Sequence, residues 1–235
     1  MPETEININQ AEQERIHVLT FHENAILARF VASRRKYLVA KRAVDIAVSM
    51  ILLIVLTCFL PILALIIKLD SPGPVFFKQR RMGLNGKIFW CFKFRTMYVN
   101  ENADERPAEE NDTRVTGFGK WLRRTKIDEL PQLLNVMLGT MSLVGPRPHM
   151  LSDCDRFSFV ISSYKFRTLV KPGITGLAQV KGYRGPAMDY ESIWNRYYYD
   201  AVYIRKANAV LDLKILFYTI GIVFRFPRRL VVSGP

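Results

Sequence analysis

The stretch Ile46–Ile67, IAVSMILLIVLTCFLPILALII, is 22 residues long and carries no charge. As a helix it would reach roughly 33 Å, about one hydrocarbon core. The plain reading is a membrane-spanning helix, and two features argue for another. Basic residues crowd both flanks: Arg34, Arg35, Lys36, Lys41 and Arg42 before it, and Lys68, Lys78, Arg80, Arg81 and Lys87 after it. A spanning helix concentrates Lys and Arg on one side of the membrane. Pro61 also lies inside the run, where it removes a backbone hydrogen bond and bends a helix. Polar Thr57 sits one turn earlier. A kinked helix that enters and leaves by the same face satisfies both observations. A re-entrant segment is therefore expected, with a spanning helix as the alternative. Asp45 near the start of the run suits the helix dipole, and an ordinary first-turn acid explains it equally well.

The bulk numbers agree with work at a membrane. Hydrophobic residues make up 49% of the 235, yet 34 residues are Lys or Arg and the net charge is +13. Such a charge implies polyanionic partners: lipid headgroups, nucleotide phosphates or nucleic acid. Cys58, Cys91 and Cys154 form no CxxC pair, and His17, His22 and His149 are too scattered for a metal cage. A reducing, cytosol-facing environment follows. The first 15 residues are polar and acidic, so no signal peptide is expected at this start.

Outward from the apolar run, residues 1–39 read as an N-terminal extension. Its segment Gln10–Val31 has helical character and no evident chemistry. Residues 40–69 are the membrane-associated unit, 70–226 a cytosolic catalytic domain and 227–235 a basic tail. Asp70-Ser-Pro-Gly-Pro74 is a rigid turn. Val75–Arg80 and Lys87–Arg95 read as two strands, joined by the hairpin chemistry of Gly83-Leu-Asn-Gly86. Residues 99–113 are polar and acidic, a loop suited to a lid. Lys120–Met137 has helical periodicity interrupted by Pro131. Met141–Pro148 and Lys171–Gly176 read as loops. Ser152–Val170, Tyr190–Lys206 and Leu211–Phe226 read as helices, the last either amphipathic at the membrane interface or packed in the core. The fold class expected is mainly α with a small β-hairpin (α+β): one re-entrant N-terminal membrane helix and a compact cytosolic domain with interfacial amphipathic helices.

Three motifs bear on chemistry. Asp128-Glu129 follows the basic cluster Lys120, Arg123, Arg124 and Lys126. On an α-helix, adjacent side chains diverge by about 100°, so the two carboxylates divide roles rather than share a proton. One would attack and the other hold a metal. Read alone, they are more simply a charged helix face neutralised by nearby Lys and Arg. Gly145-Pro-Arg-Pro148 sets Arg147 between two prolines that fix its backbone, which suits bidentate phosphate recognition. Phe92-Lys-Phe-Arg95 puts Lys93 and Arg95 on one face of a strand, where a solvated basic ladder is the simpler reading. No P-loop, Rossmann or nucleophile-elbow motif is present.

In register, these segments resemble the bacterial sugar transferase family, the monotopic polyprenyl-phosphate sugar-1-phosphate transferases. The matching residues are Lys41-Arg-Ala-Val-Asp45, Lys68-Leu-Asp-Ser-Pro-Gly-Pro-Val75, Phe92-Lys-Phe-Arg-Thr-Met97 and Leu122-Arg-Arg-Thr-Lys-Ile-Asp-Glu-Leu-Pro-Gln132. They continue through Asn135-Val136, Met141-Ser-Leu-Val-Gly-Pro-Arg-Pro148, Val170–Gly176, Ala178-Gln-Val180 and Leu211-Asp-Leu-Lys214. The resemblance is closest to members that transfer glucose- or galactose-type phosphates. It implies a phosphoglycosyl transferase on the cytosolic face of the bacterial inner membrane, initiating surface glycan assembly. A UDP-sugar is the implied donor and a polyprenyl (undecaprenyl) phosphate the acceptor. Membrane lipids are further partners, a homodimer is allowed for and nucleic acid is not expected. Asp128 would be the nucleophile and Glu129 its partner, with Mg²⁺ held by Asp128 and Glu129. Pro146, Arg147 and Pro148 would bind the nucleotide, and Lys93, Arg95 and Arg123 would hold phosphates. One departure stands out. Family members usually break the membrane helix at a Ser-Pro pair, whereas here Thr57-Cys58 stands there and the proline is displaced to Pro61. The alternative function is a non-catalytic, basic, membrane-tethered scaffold for anionic lipid or nucleic acid. A polytopic transferase would need several spanning helices.

Overall fold

The computed structural model describes residues 33–99, 112–185 and 189–224. The expectations for most of the N-terminal extension (1–32), the acidic loop (100–111) and the basic tail lie outside the described residues.

The apolar run sits inside one 36-residue helix, α1, Arg35–Asp70. Its middle is apolar and turned outward: Met50, Ile51, Ile54, Val55, Phe59, Ile62 and Leu65 are all exposed. A patch of this size is not left to water. Thr57 Oγ1 donates to the Leu53 carbonyl at 2.8 Å, one turn before Pro61. Both parts of α1 that flank the exposed stretch are fastened to the same body. Near its start, Lys41 Nζ lies 2.8 Å from Asp212, Arg42 donates to the carbonyls of Val136 and Met137, and Asp45 accepts from the Leu143 amide. In its last turn, Ile67 is buried with Phe94 and Leu122, and Asp70 accepts from the Phe118 amide at 3.1 Å.

The expected hairpin follows: β1, Phe76–Met82, pairs antiparallel with β2, Ile88–Phe94. Asn85 (φ 54°) and Gly86 (φ 74°) turn the chain in the left-handed region that these two residue types tolerate. Phe89 and Cys91 point from one face into the main core, and Phe94 from the other into the cluster around Ile67.

The helix expected over Lys120–Met137 is three pieces. α2 spans Gly117–Thr125, capped by Thr116 Oγ1 accepting from the Gly119 amide. Lys126 ends it in the left-handed conformation, φ 63°. A 3₁₀ turn, Ile127–Glu129, and α3, Gln132–Met137, complete the stretch. Pro131 therefore starts α3 instead of kinking a longer helix, a position where its missing N–H costs little. Asn135 docks α3 onto the hairpin by accepting from the Phe92 amide at 2.9 Å and donating to the Trp90 carbonyl at 2.6 Å.

Two segments read as loops contain buried strands. β3, Ser142–Val144, pairs parallel with β4, Gly173–Thr175. Gly145 permits the approach, since a Cβ there would stand 2.4 Å from the Lys171 carbonyl oxygen. α4, Leu151–Val160, and a 3₁₀ segment, Tyr164–Leu169, replace the single helix expected over Ser152–Val170. α5, Leu177–Val180, is one turn; α6, Tyr190–Lys206, falls where expected; α7, Ala209–Phe224, ends the described chain. On α7, Ile215 is buried, whereas Leu213, Phe217, Tyr218 and Ile220 are exposed.

Arg95 joins hairpin to helix. Its terminal nitrogens donate to the carbonyls of Ile67, Ser71 and Pro72 at 2.5–3.1 Å, closing the open end of α1. Arg95→Lys keeps the charge and loses the fork. It should destabilise the detergent-solubilised protein by about 2–3 kcal/mol, read as a fall in thermal midpoint. Arg80→Lys, on the exposed side of β1, should leave the midpoint unchanged.

Candidate active site

The 3₁₀ turn carries the carboxylates. Successive 3₁₀ residues diverge by about 120°, so Asp128 and Glu129 point apart, as their adjacency predicts. They still line one hollow of about 420 Å³ between the hairpin, α2, the Pro146–Met150 segment, α4 and α6. That volume suits a small-molecule ligand. Ten Lys and Arg side chains line it.

The two acids are held differently. Glu129 is clamped: Arg147 donates to Oε1 at 2.5 Å and to Oε2 at 3.2 Å, and Lys93 Nζ reaches Oε1 at 3.3 Å. Burial alone would raise its pKa, but the guanidinium and ammonium outweigh that and hold it well below the usual carboxylate range. Asp128 is buried and its Oδ1 has no hydrogen-bond partner. Burial raises its pKa, with Lys93 opposing and Glu129 reinforcing the rise. A buried carboxylate oxygen with nothing donating to it calls for a functional reason.

The segment bearing Arg147 is fixed through its carbonyls, since its prolines have no N–H to give. Pro146 O accepts from the Gly173 amide at 2.9 Å, Arg147 O from Arg167 at 2.7 Å and Pro148 O from Arg81 at 3.2 Å. Arg167 is held in turn by buried Asp200 at 2.6 Å.

The residues expected in the site from sequence therefore come together, with altered roles for several. Lys93 and Arg147 both contact Glu129 and both line the hollow. Arg95 lines the hollow, but its fork is spent on α1; this corrects the expectation that it holds a phosphate. Arg123 gives Nε to Thr96 Oγ1 at 2.7 Å, and its terminal nitrogens make no hydrogen bond among the described residues. Pro146 lies behind the loop, and Pro148 lines the hollow. Residues not singled out from sequence include Arg81, Arg184, Arg196 and His149. They come from four separate segments, and no local motif marks them.

His149 is 3% exposed. Arg196 can only donate to its Nε2 (3.3 Å), so Nδ1 carries the proton and donates to Tyr164 Oη at 2.5 Å. Burial first, then Arg167, Arg196, Arg81 and Arg147, push its pKa well below 6.5.

Mg²⁺ is commonly held by one or two carboxylates together with substrate phosphates. The donor set fits. Asp128 Oδ1 is unpartnered, and Glu129, with about four lone-pair sites, spends three on Lys93 and Arg147. Among the described residues no group of three or more His, Cys, Asp or Glu could cage a metal, so phosphates would supply the remaining ligands.

The bacterial sugar transferase family model matches residues 36–226. The chain is 48% identical over 184 residues to the UDP-glucose:undecaprenyl-phosphate glucose-1-phosphate transferase of Klebsiella pneumoniae, covering 78% of this chain and 40% of that protein. It is 45% identical over 188 residues to the exopolysaccharide production protein PSS of Rhizobium leguminosarum bv. phaseoli, covering 78% and 94%. Over 214 residues it is 37% identical to the UDP-N-acetylgalactosamine-undecaprenyl-phosphate N-acetylgalactosaminephosphotransferase of Aeromonas hydrophila, covering 91% and 50%. The chain thus spans about two fifths of the Klebsiella relative's length. Nothing in these likenesses favours the scaffold alternative.

The fold holds His149 neutral, whereas the unfolded chain takes up a proton on it below about pH 6.5. The unfolded state therefore binds more protons there, and stability falls as pH drops below that value. Between about pH 6.5 and 5, wild type should lose stability more steeply than His149→Gln, measured by urea unfolding in detergent. Equal slopes would show that His149 does not couple to folding.

Proposed function

Because the chain belongs to the bacterial sugar transferase family, we propose that it transfers a sugar-1-phosphate from a UDP-sugar to undecaprenyl phosphate. The products are undecaprenyl-diphosphate-sugar and UMP, and the step initiates assembly of a surface glycan. The observation that carries this reading is the pairing of Asp128, buried with an unpartnered oxygen, with Glu129, locked by Arg147 and Lys93. Both face a basic hollow at the end of the apolar helix.

A carboxylate oxygen of Asp128 attacks the sugar-bearing phosphorus. The bridging P–O bond breaks, and its electron pair leaves with UMP. The acyl phosphate on Asp128 is then attacked by an oxygen of the lipid phosphate, and the P–O bond to Asp128 breaks to restore the carboxylate. Arg123 offsets the repulsion between the anionic nucleophile and the anionic donor. Arg147 and Lys93 keep Glu129 ionised and fixed. Mg²⁺ would be held by Asp128 and Glu129 and would supply charge neutralisation.

We also read α1 as re-entrant. Support comes from Lys and Arg at both ends of the apolar run, from Pro61, and from fastening of both flanking parts to one body. The active site then faces the cytosol of the bacterial inner membrane, and the exposed apolar side of α7 lies at the interface. The sugar differs among the relatives' names, so the donor is defined only as a UDP-sugar.

Asp128→Asn should abolish transfer of radiolabel from UDP-[14C]sugar to the lipid phase. Its thermal midpoint should equal or exceed wild type, because a neutral amide removes the cost of a buried charge. Wild-type-like turnover would sink the nucleophile assignment. For topology, Cys58 is replaced by Ser, since Cys91 and Cys154 are buried, and single cysteines are placed at exposed Lys36 and Lys68. A membrane-impermeant maleimide should label neither in intact cells and both after permeabilisation. Labelling of one alone in intact cells would mean a spanning helix.

A further inference from the structure

Accounting for the donors in the hollow separates its cations into two kinds. Most are spent inside the protein. Arg81 serves the Pro148 carbonyl and Gln79, and Lys93 and Arg147 serve Glu129. Arg95 serves the end of α1, and Arg196 serves His149 and the Gly185 carbonyl. Arg114 is paired with Asp112 and Arg156 with Asp153.

Three cations remain. Arg123 uses only Nε, on Thr96. Arg184 uses only Nε, donating to the Gln179 carbonyl at 2.6 Å. The Lys126 side chain, at the exposed rim, has no hydrogen bond or ion pair among the described residues. An arginine anchored by Nε with its two terminal nitrogens open is oriented in advance for a bidentate oxyanion. Arg123 is held from Thr96, just past β2, and Arg184 from the Gln179 carbonyl in α5, so the two enter the hollow from different elements, while Lys126 stands two residues before Asp128.

We propose that Arg184 and Lys126 form the site for the phosphate of the departing nucleotide, while Arg123 faces the phosphorus that Asp128 attacks. This rests on the transferase reading above. When the bridging P–O bond breaks, its electron pair stays on the nucleotide phosphate, which gains a negative charge. Cations beside it are therefore worth more in the transition state than in the ground state. Arg184 and Lys126 would also bind the product UMP through the same phosphate.

The test uses the full chain in nanodiscs. Lys126→Asn is chosen because Asn tolerates the left-handed backbone at this position, so the cation is removed without strain. Arg184→Gln removes the fork, and Lys181→Asn, on the exposed neighbouring turn, is the control. Calorimetry with UMP should show each site variant binding at least about tenfold more weakly than wild type, with the control unchanged. Uridine binding, followed by saturation-transfer NMR, should be unaltered in all of them. With a UDP-sugar the wild type turns over, kcat should fall more than KM rises. Unchanged UMP affinity in both site variants, or equal weakening of UMP and uridine, overturns the assignment while leaving the transferase reading intact. A wild type that neither binds UMP nor releases it from any UDP-sugar overturns both.

Discussion

The Glu129 carboxylate is the point on which the site depends. It receives Arg147 from the loop after β3 and Lys93 from β2, and sits on the turn between α2 and α3. Three stretches distant in sequence are thus tied at one group. Such a cluster is costly to assemble, because each charge must leave water. It holds only because hydrogen bonds satisfy each member, and removing one partner leaves the others buried and uncompensated. Lys93 and Arg147 turn to Glu129, and Asp128 Oδ1 receives no hydrogen bond.

The same economy governs the other cations. A net charge of +13 suggests surfaces made for polyanions. Around the hollow, much of that charge works as internal scaffolding instead. Arg95 closes a helix end, Arg42 closes another at Val136 and Met137, and Arg81 and Arg167 hold a proline-bounded loop through its carbonyls. Arginine suits this work because it stays charged when desolvated and offers several donors in a fixed plane. Composition cannot tell a cation spent on a carbonyl from one kept for a phosphate.

What was legible in the sequence follows the range of the interactions involved. The hairpin was readable because Asn85 and Gly86 determine their own turn, and α6 because helical periodicity runs its whole length. The apolar length of α1 announces a membrane. β3 and β4 were not readable: each is three residues, buried without alternation, and visible only once Gly145 and Gly173 approach. The break at Lys126 was missed because lysine carries no signature for a left-handed backbone. Asp128 and Glu129, read alone, looked like a solvated helix face, and it was the register of the surrounding motifs that marked them as a site. His149 owes its place to contacts across the fold, with Tyr164 and Arg196, and Arg184, though anchored locally on the Gln179 carbonyl, meets the hollow only once distant segments fold around it.

Two consecutive residues tie the apolar helix to the basic hollow. Arg95 grips the carbonyls of Ile67, Ser71 and Pro72, where α1 ends. Thr96 accepts from Arg123, which lines the hollow. One peptide unit therefore separates the residue that caps α1 from the residue that holds Arg123. A peptide plane does not stretch, so these two side chains spring from a fixed separation, and their hydrogen bonds tie the end of α1 to the hollow with no intervening loop. Under the transfer proposed above, a lipid phosphate held in the headgroup layer would need such a fixed separation, since a misplacement of about 1 Å is enough to cost a large factor in rate.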